Sequence, residues 1–362
     1  MKHSQYSLDF SGADLDVLDD DIRSGASAAV MTEDFLWVGS DEHISVQRLR
    51  KLKGNNFGEC KTYHLIDFVD LPSTKDEMDI EGMDFDGKYL WVTGSHSWVR
   101  TNIDGEVKDQ QEEVNKLCEV TIDKNRCILA RIPCIKNKEG EYELHKEHSD
   151  PEDENKMLWA ATLKHKKKKN QLTKKLKKDN HLANFIKIPG KDNGLDIEGL
   201  AAYNNKIFLG MRGPVLRGWA TILEVQFKEH SRKKQRLKLK KLDNGKHYRK
   251  FFLDLKGMGI RELAADGDDM LILAGPTMDL DGTMSIYNWK GGSNPQPDTL
   301  IAKNEITRLM DIPTNPEKHN VDKAEGLALL KDKSMLVLYD TPDESKTIGK
   351  HTVKADCFDL NG

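Results

Sequence analysis

The sequence predicts an all-β fold, a single β-propeller with five blades preferred over six and a charged, partly helical insertion. Three observations carry this prediction. A short motif holding an acid recurs along the chain. A second apolar run follows each copy at a near-constant offset. Most copies lie about one blade's length apart. The full motif reads Asp79-Ile80-Glu81-Gly82-Met83 and again Asp196-Ile197-Glu198-Gly199-Leu200. Looser copies are Gly259-Ile260-Arg261-Glu262-Leu263 and Lys323-Ala324-Glu325-Gly326-Leu327. Ala26-Ser27-Ala28-Ala29-Val30 is a variant with Ser27 in the glutamate's place.

The first run of each unit reads as an inner strand. The second runs, such as Phe35-Leu36-Trp37-Val38 and Lys88-Tyr89-Leu90-Trp91-Val92, read as its hairpin partner. Asp86-Gly87, Asn204-Asn205 and Asp266-Gly267 supply turn residues between them. Third strands follow at Ile44–Leu49, Ala220–Val225 and Thr283–Tyr287. The acids, with Ser27, step by 54, 117, 64 and 63 residues. The long step has two explanations. One is a hidden sixth blade centred on Glu139-Gly140. The other, which we favour, is an insertion at about 136–182, lysine-rich and partly helical. On that reading Arg126–Ile132 is the third strand of the Glu81 unit and Lys138-Glu139-Gly140 a hairpin turn. Leu172 and Leu176, four apart, give the insertion a short helix with one apolar edge. A strand near Tyr6–Phe10 is placed to complete the last blade around Val353–Phe358. The whole of 1–362 then forms one propeller domain.

The chain's 362 residues are 37% hydrophobic, enough for a core, and 32% charged, so the surface is very polar. The formal net charge of −4 names no partner. The first residues lack the apolar region of a signal peptide. No apolar run approaches the ~20 residues of a membrane span. The five cysteines are scattered and show no CxxC spacing. Together these point to a cytoplasmic protein with reduced thiols and no membrane partner. P-loop, GxSxG and HExxH motifs are missing from the sequence.

In a propeller the inner strands surround one channel, so Glu81, Glu198, Glu262 and Glu325 are expected to converge there, with Ser27 closing the ring. Converging carboxylates repel unless a positive charge lies between them. A hard divalent cation is one solution, Ca²⁺ first and Mg²⁺ or Mn²⁺ second. The other is structural: each acid ties neighbouring blades by accepting backbone N–H bonds. Both readings stand on the sequence. The ends of the second strands differ between units and are where a site would be written. They hold Asp41, Glu42, Ser95, His96, Arg212 and Asp340. His96 and Asp340 are candidates for proton transfer. Arg212, Arg217 and Arg261 are candidates for holding an anionic group. Two basic stretches remain, Lys164–Lys178 and Arg232–Lys241. A solvated face is the preferred reading of both, with docking of nucleic acid or an acidic protein the alternative. Neither stretch interleaves aromatic residues for base stacking.

The stretches Leu209-Gly210-Met211-Arg212-Gly213-Pro214 and Leu273-Ala274-Gly275-Pro276, taken with Asp196–Leu200, resemble an uncharacterised bacterial family of propeller-like proteins. That family looks related to phytase-like and esterase-like propellers. The resemblance extends over roughly residues 20 to 345, with the lysine-rich insert departing from it. It implies a fold more than an activity. By analogy with calcium-dependent lactonase-like propellers, it also supports the glutamates as metal-ligand candidates. The function expected first is binding of a small polar or anionic ligand, or a protein partner, at an axial mouth. A divalent-metal-dependent hydrolase acting on a phosphoester, ester or lactone is the alternative. A docking scaffold that uses the basic insertion is the third.

Overall fold

Each recurrence of the motif becomes the first strand of an antiparallel sheet in the computed structural model. The structure describes residues 2–12, 22–103, 110–166, 168–278, 280–296, 299–313 and 317–360. It opens with β1 (His3–Asp9), β2 (Ala26–Thr32), β3 (Phe35–Ser40), β4 (Ser45–Lys51) and β5 (Asn56–His64). Next come β6 (Ile80–Phe85), β7 (Tyr89–Gly94), β8 (Val99–Arg100), the helix α1 (Gln110–Lys116), β9 (Val120–Thr121) and β10 (Leu129–Lys136). The segment expected to be inserted holds β11 (Tyr142–Leu144), β12 (Glu147–Asp150), β13 (Asp153–Trp159), β14 (Ala161–Leu163) and the helix α2 (Gln171–Leu176). There follow β15 (Asp196–Tyr203), β16 (Lys206–Leu216), β17 (Trp219–Val225), β18 (Phe227–His230), β19 (Lys233–Leu239) and β20 (Arg249–Asp254). The chain continues through β21 (Gly259–Asp266), β22 (Asp269–Gly275), β23 (Ser285–Trp289) and β24 (Ile306–Asp311). It closes with β25 (Lys323–Leu329), β26 (Met335–Asp340), β27 (Thr347–Ile348) and β28 (Thr352–Phe358).

The structure is nearly all β, with its sheets arranged in a propeller-like manner. The strand orders are β2-β3-β4-β5, β6-β7-β10-β14, β15-β16-β17-β20, β21-β22-β23-β24 and β25-β26-β28-β1. The motif strands pack side by side: β2 against β6 and β25, β15 against β6 and β21, and β21 against β25. That cycle surrounds an axis. The ring is closed by β1, which pairs antiparallel with β28 and parallel with β5. The last sheet is thus completed by the first strand, as the sequence leads one to expect, and the first and last sheets are hydrogen-bonded together.

The core is divided among neighbouring sheets. Leu8, Leu36, Val38 and Leu49 pack with Leu336, Leu338 and Val353 between the first and last sheets. Phe208, Ile222 and Phe251 pack with Ile260, Ile272 and Trp289 one interface further round. Burial of a side chain of this size is worth ~1.5–3 kcal/mol, so each interface contributes to holding the ring.

Several details concern the long step and the hairpin that packs on it. Glu139-Gly140 lies in the turn joining β10 to β11, where Asn137 Oδ1 accepts from Glu139 N and Glu141 N. The third strand begins at Leu129, three residues after the expected start. The β18–β19 hairpin leaves its own sheet and joins the preceding one, with β19 parallel to β14. In α2, Leu172 and Leu176 are both buried, and Asn170 caps the helix by accepting from Thr173 N at 3.0 Å. Lys167, part of the first basic stretch, lies outside the described residues.

Candidate functional site

A bulge in each motif strand decides which side chains reach the axis. In β6, Ile80 pairs with Gly94 and Gly82 with Thr93, so Glu81 is the extra residue. Ser27, Glu198 and Glu325 are skipped in the same way in β2, β15 and β25. In β21 the skipped residue is Arg261, not Glu262. The register that places Glu262 among the axial acids is therefore one residue too late. Arg261 occupies the acid's position and Glu262 the glycine's. A bulge bends its strand and re-aims the extra side chain. The next residue faces the neighbouring motif strand instead. At that position a Cβ added to Gly82 would lie 2.9 Å from Leu200 N, and one added to Gly199 would lie 2.9 Å from Leu263 Cγ.

Glu262 fills its position as a tie between strands. It is fully buried and accepts from Leu200 N at 3.0 Å and Leu263 N at 2.8 Å. Burial pushes its pKa well above the usual carboxylate range, opposed by those two N–H groups. Asp84 does the same between β6 and β15, accepting from Ala202 N at 2.7 Å; burial raises its pKa to about 7. Ser27 also ties strands, since its hydroxyl donates to Ile80 O and Gly39 O. Glu262 thus accepts backbone N–H groups as the structural reading describes, whereas Ser27 ties strands as a donor to carbonyls.

The other acids stand around a cavity of about 580 Å³. Glu81, Glu198 and Glu325 line it, joined by Asp41 and Asp340 from the ends of β3 and β26. Asp79 and Asp196, the first residues of the two full motifs, complete the acidic wall. Arginines stand among them. Arg126 Nη1 reaches Asp79 Oδ2 at 2.5 Å. Arg212 Nη1 donates to Glu198 Oε1 at 2.8 Å and lies 3.9 Å from Asp196 Oδ2. Arg261 Nη1 bridges Glu325 Oε1 at 2.7 Å and Glu198 Oε2 at 3.3 Å. Guanidinium groups thus sit among the carboxylates that the sequence offers as metal-ligand candidates. Among the described residues, no group of three or more His, Cys, Asp or Glu side chains is arranged to hold a metal ion.

The arginines do not neutralise the wall. Burial, then the charges of Glu325, Asp79 and Asp340, raise the Asp41 pKa to about 8. Burial, followed by the charges of Asp79, Glu198 and Glu325, also pushes Glu81 well above its ordinary value. Asp41 Oδ1 and Asp196 Oδ1 are buried with no hydrogen-bond partner among the described residues. The cavity therefore holds surplus negative charge or takes up protons. Trp98, Ile103, Leu117, Met278 and Leu280 also line it, and the last four are exposed large hydrophobics. Arg100, Lys191 and Lys323 line it too, so acidic and apolar residues share the cavity with further cations.

Most of the other candidates lie outside the cavity. His96 is fully buried and turned away from the cavity. Its Nδ1–H donates to Gly94 O at 2.8 Å, and its Nε2 accepts from Asn170 Nδ2 at 2.6 Å. Burial lowers its pKa to about 4, so it is neutral and committed to the cap of α2, which removes it from proton transfer in the cavity. Ser95 Oγ is bonded to Ser97 Oγ at 2.9 Å. Glu42 is exposed beyond β3, and Arg217 is exposed in the β16–β17 turn with φ +52°. Arg212, which lines the cavity, and Arg261 are engaged by carboxylates and by Thr277 O and Pro276 O. Sequence reasoning passed over Asp79, Asp196, Arg126 and Trp98. The acid two residues before Glu81 and Glu198 was a signal for the first two. Arg126 and Trp98 sit in loops and carry none.

Residues 25–356 match the family described as "Protein of unknown function (DUF3616)". No curated protein matches the chain in sequence. Among solved structures, a glutaminyl cyclase from Myxococcus xanthus is similar at 9% identity and TM-score 0.38, over 98% of this chain and 94% of that one. The PQQ-bound aldose sugar dehydrogenase of Streptomyces coelicolor is similar at 9% identity and TM-score 0.37, over 99% and 98%. An endosialidase of phage phi92 is similar at 8% identity and TM-score 0.36, over 99% and 69%.

Proposed function

The chain belongs to this family of unknown function, and from that premise we propose that it is a single five-bladed propeller whose axial cavity binds a small organic cation. The surplus of buried carboxylates over guanidinium groups around the cavity carries this reading. A cation entering beside Asp41 and Glu81 would replace the protons that burial and mutual repulsion now hold there. The apolar side chains among its lining suit a ligand whose charged end is joined to an apolar segment, because a concave pocket can cover both.

The pH dependence has a definite sign. An alkylamine stays charged to a pKa of about 10.4, while Asp41 loses its proton near pH 8. Affinity should therefore rise with pH through that range. Calorimetric titration of the full chain at pH 6.5 and 8.5 tests this, with alkylamines and guanidines of increasing tail length, a neutral polyol, a carboxylate, inorganic phosphate and Ca²⁺. Amines should bind more tightly at the higher pH, and Asp41→Asn should remove most of that difference. Binding of the polyol or the anions in preference to amines would overturn the proposal. Stoichiometric Ca²⁺ that displaces the amine would hand the site to a divalent ion.

One observation favours a hydrolytic second reading. Carboxyl groups kept protonated near neutrality share the cavity with arginine-paired carboxylates, and such pairs perform general acid and base steps. Asp340 is then the proton-transfer candidate that remains in place. Turnover on a phosphoester, ester and lactone panel, lost in Asp340→Asn, is its test.

A further inference from the structure

Two basic stretches more than fifty residues apart in sequence become one surface. The strand β19 lies parallel to β14, with Thr162 opposite Arg236 and Leu163 opposite Leu237. Lys164 N, the first residue after β14, donates to Leu237 O at 3.0 Å. The helix α2 follows and packs on β19, and Leu239 N donates to Gln171 Oε1 at 3.0 Å. Leu163, Leu172, Leu176, Leu237 and Leu239 share one core cluster, so the two segments are fixed relative to each other.

The apolar side chains all point inward, which leaves the cations outside. Lys174, Lys175, Lys177 and Lys178 are exposed on and after α2, and Lys233, Lys234 and Lys240 on and after β19. Residues 164–178 contain no acid, and residues 227–241 contain only Glu229. Glu229 is engaged by Arg131 at 2.8 Å and by Lys234 at 3.6 Å. The pKa of His230 is pushed down by desolvation and then by the charges of Lys238, Lys164, Lys233 and Arg236. Cations from both stretches therefore crowd one ring. The chain's formal net charge of −4 does not describe this face, because it sums all 56 Lys and Arg against all 60 Asp and Glu wherever they lie.

We infer that this composite face of β18, β19, the segment after β14 and α2 binds the phosphate backbone of a nucleic-acid duplex without reading its sequence. Arg236, Lys238 and Lys240 alternate with buried Leu237 and Leu239. Alternate side chains on a strand stand ~6.8 Å apart. Phosphates of one duplex strand advance ~3.4 Å per nucleotide along the axis while turning round it, so successive phosphates lie further apart than that rise and nearer the strand spacing. Neither segment carries Phe, Tyr or Trp between 164 and 178 or between 228 and 241, which disfavours stacking on unpaired bases. The cations are mostly lysines, point charges suited to backbone contact more than to base edges.

Fluorescence anisotropy of the full chain with random-sequence duplexes of DNA and of RNA tests the inference. Affinity should be independent of sequence and fall at least tenfold between about 50 and 200 mM salt. The pair Lys238→Gln/Lys240→Gln and the pair Lys174→Gln/Lys175→Gln should each weaken binding and lower the slope of log K against log salt by ~0.9 for each phosphate no longer neutralised. The four together should abolish binding while the thermal melt stays unchanged. The salt slope of the unaltered chain gives a reading that does not depend on any variant folding. No duplex binding at 50 mM salt would overturn the inference. So would binding that only one pair affects, or preference for poly-glutamate over duplex.

Discussion

At the bulge of β21, Arg261 turns to the axis and Glu262 to the neighbouring strand, so adjacent residues have opposite jobs. Arg261 bridges two buried carboxylates that would otherwise face each other across the cavity. Removing one partner of a buried charge pair costs ~3–5 kcal/mol, because the other is left uncompensated. Arg261→Gln is expected to lose that much in a denaturant titration, and Glu325→Gln added to it should recover a part. Glu262→Gln keeps one carbonyl oxygen for Leu200 N and Leu263 N, so its cost should be nearer ~1 kcal/mol. An Arg261→Gln loss within ~0.5 kcal/mol, as for a surface change, would remove the bridging role.

At the scale of elements, the helix α2 is joined to the β7 end through His96 and Asn170. Asn170 caps the helix with its oxygen and donates to His96 Nε2 and to Cys127 O with its amide. His96→Leu leaves that amide one acceptor short. The expected cost is ~1–3 kcal/mol, with faster hydrogen exchange in α2 and unchanged amine affinity in the cavity. The pH sign follows from a histidine whose folded pKa, about 4, lies below its ordinary value of 6.5. The unfolded chain binds more protons between those values, so this group's contribution is complete above pH 6.5 and declines as pH falls toward 4. His96→Leu should flatten that acid limb. An unchanged limb would show that His96 is not held neutral.

Over the whole molecule, stability depends on closing a ring whose core is divided among interfaces. The strand β1 brings fully buried Leu8 to the junction of first and last sheets, and Phe10 follows it. These two side chains alone account for ~3–6 kcal/mol of burial. Their removal with the strand also exposes the hydrogen-bonding edges of β28 and β5. Deleting residues 1–10 should therefore lower stability by at least that amount and favour self-association. Calorimetry and light scattering would show both effects. A truncated chain that melts like the full one would mean that β1 does not close the ring.

The repeated motif was enough to indicate inner strands, their partners, the third strands and the closure by the first strand. Those features follow from local hydrophobic alternation and turn residues, which are written along the chain. Asp41, Arg212 and Asp340 could be found because they stand at the ends of recognisable strands. The register of Arg261 and Glu262 could not, because a bulge is a property of two paired strands. Arg126 and His96 were also beyond the sequence: one is a loop residue that meets Asp79 across the fold, the other turns to a helix cap seventy-four residues on. What only the tertiary structure decided was where each charge faces. The axis collects acids and guanidinium groups from different sheets, and the outer edge collects lysines from two distant segments. Electrostatic character depends on which side chains share a few ångströms of space, whereas the repeat records only which residues share a strand.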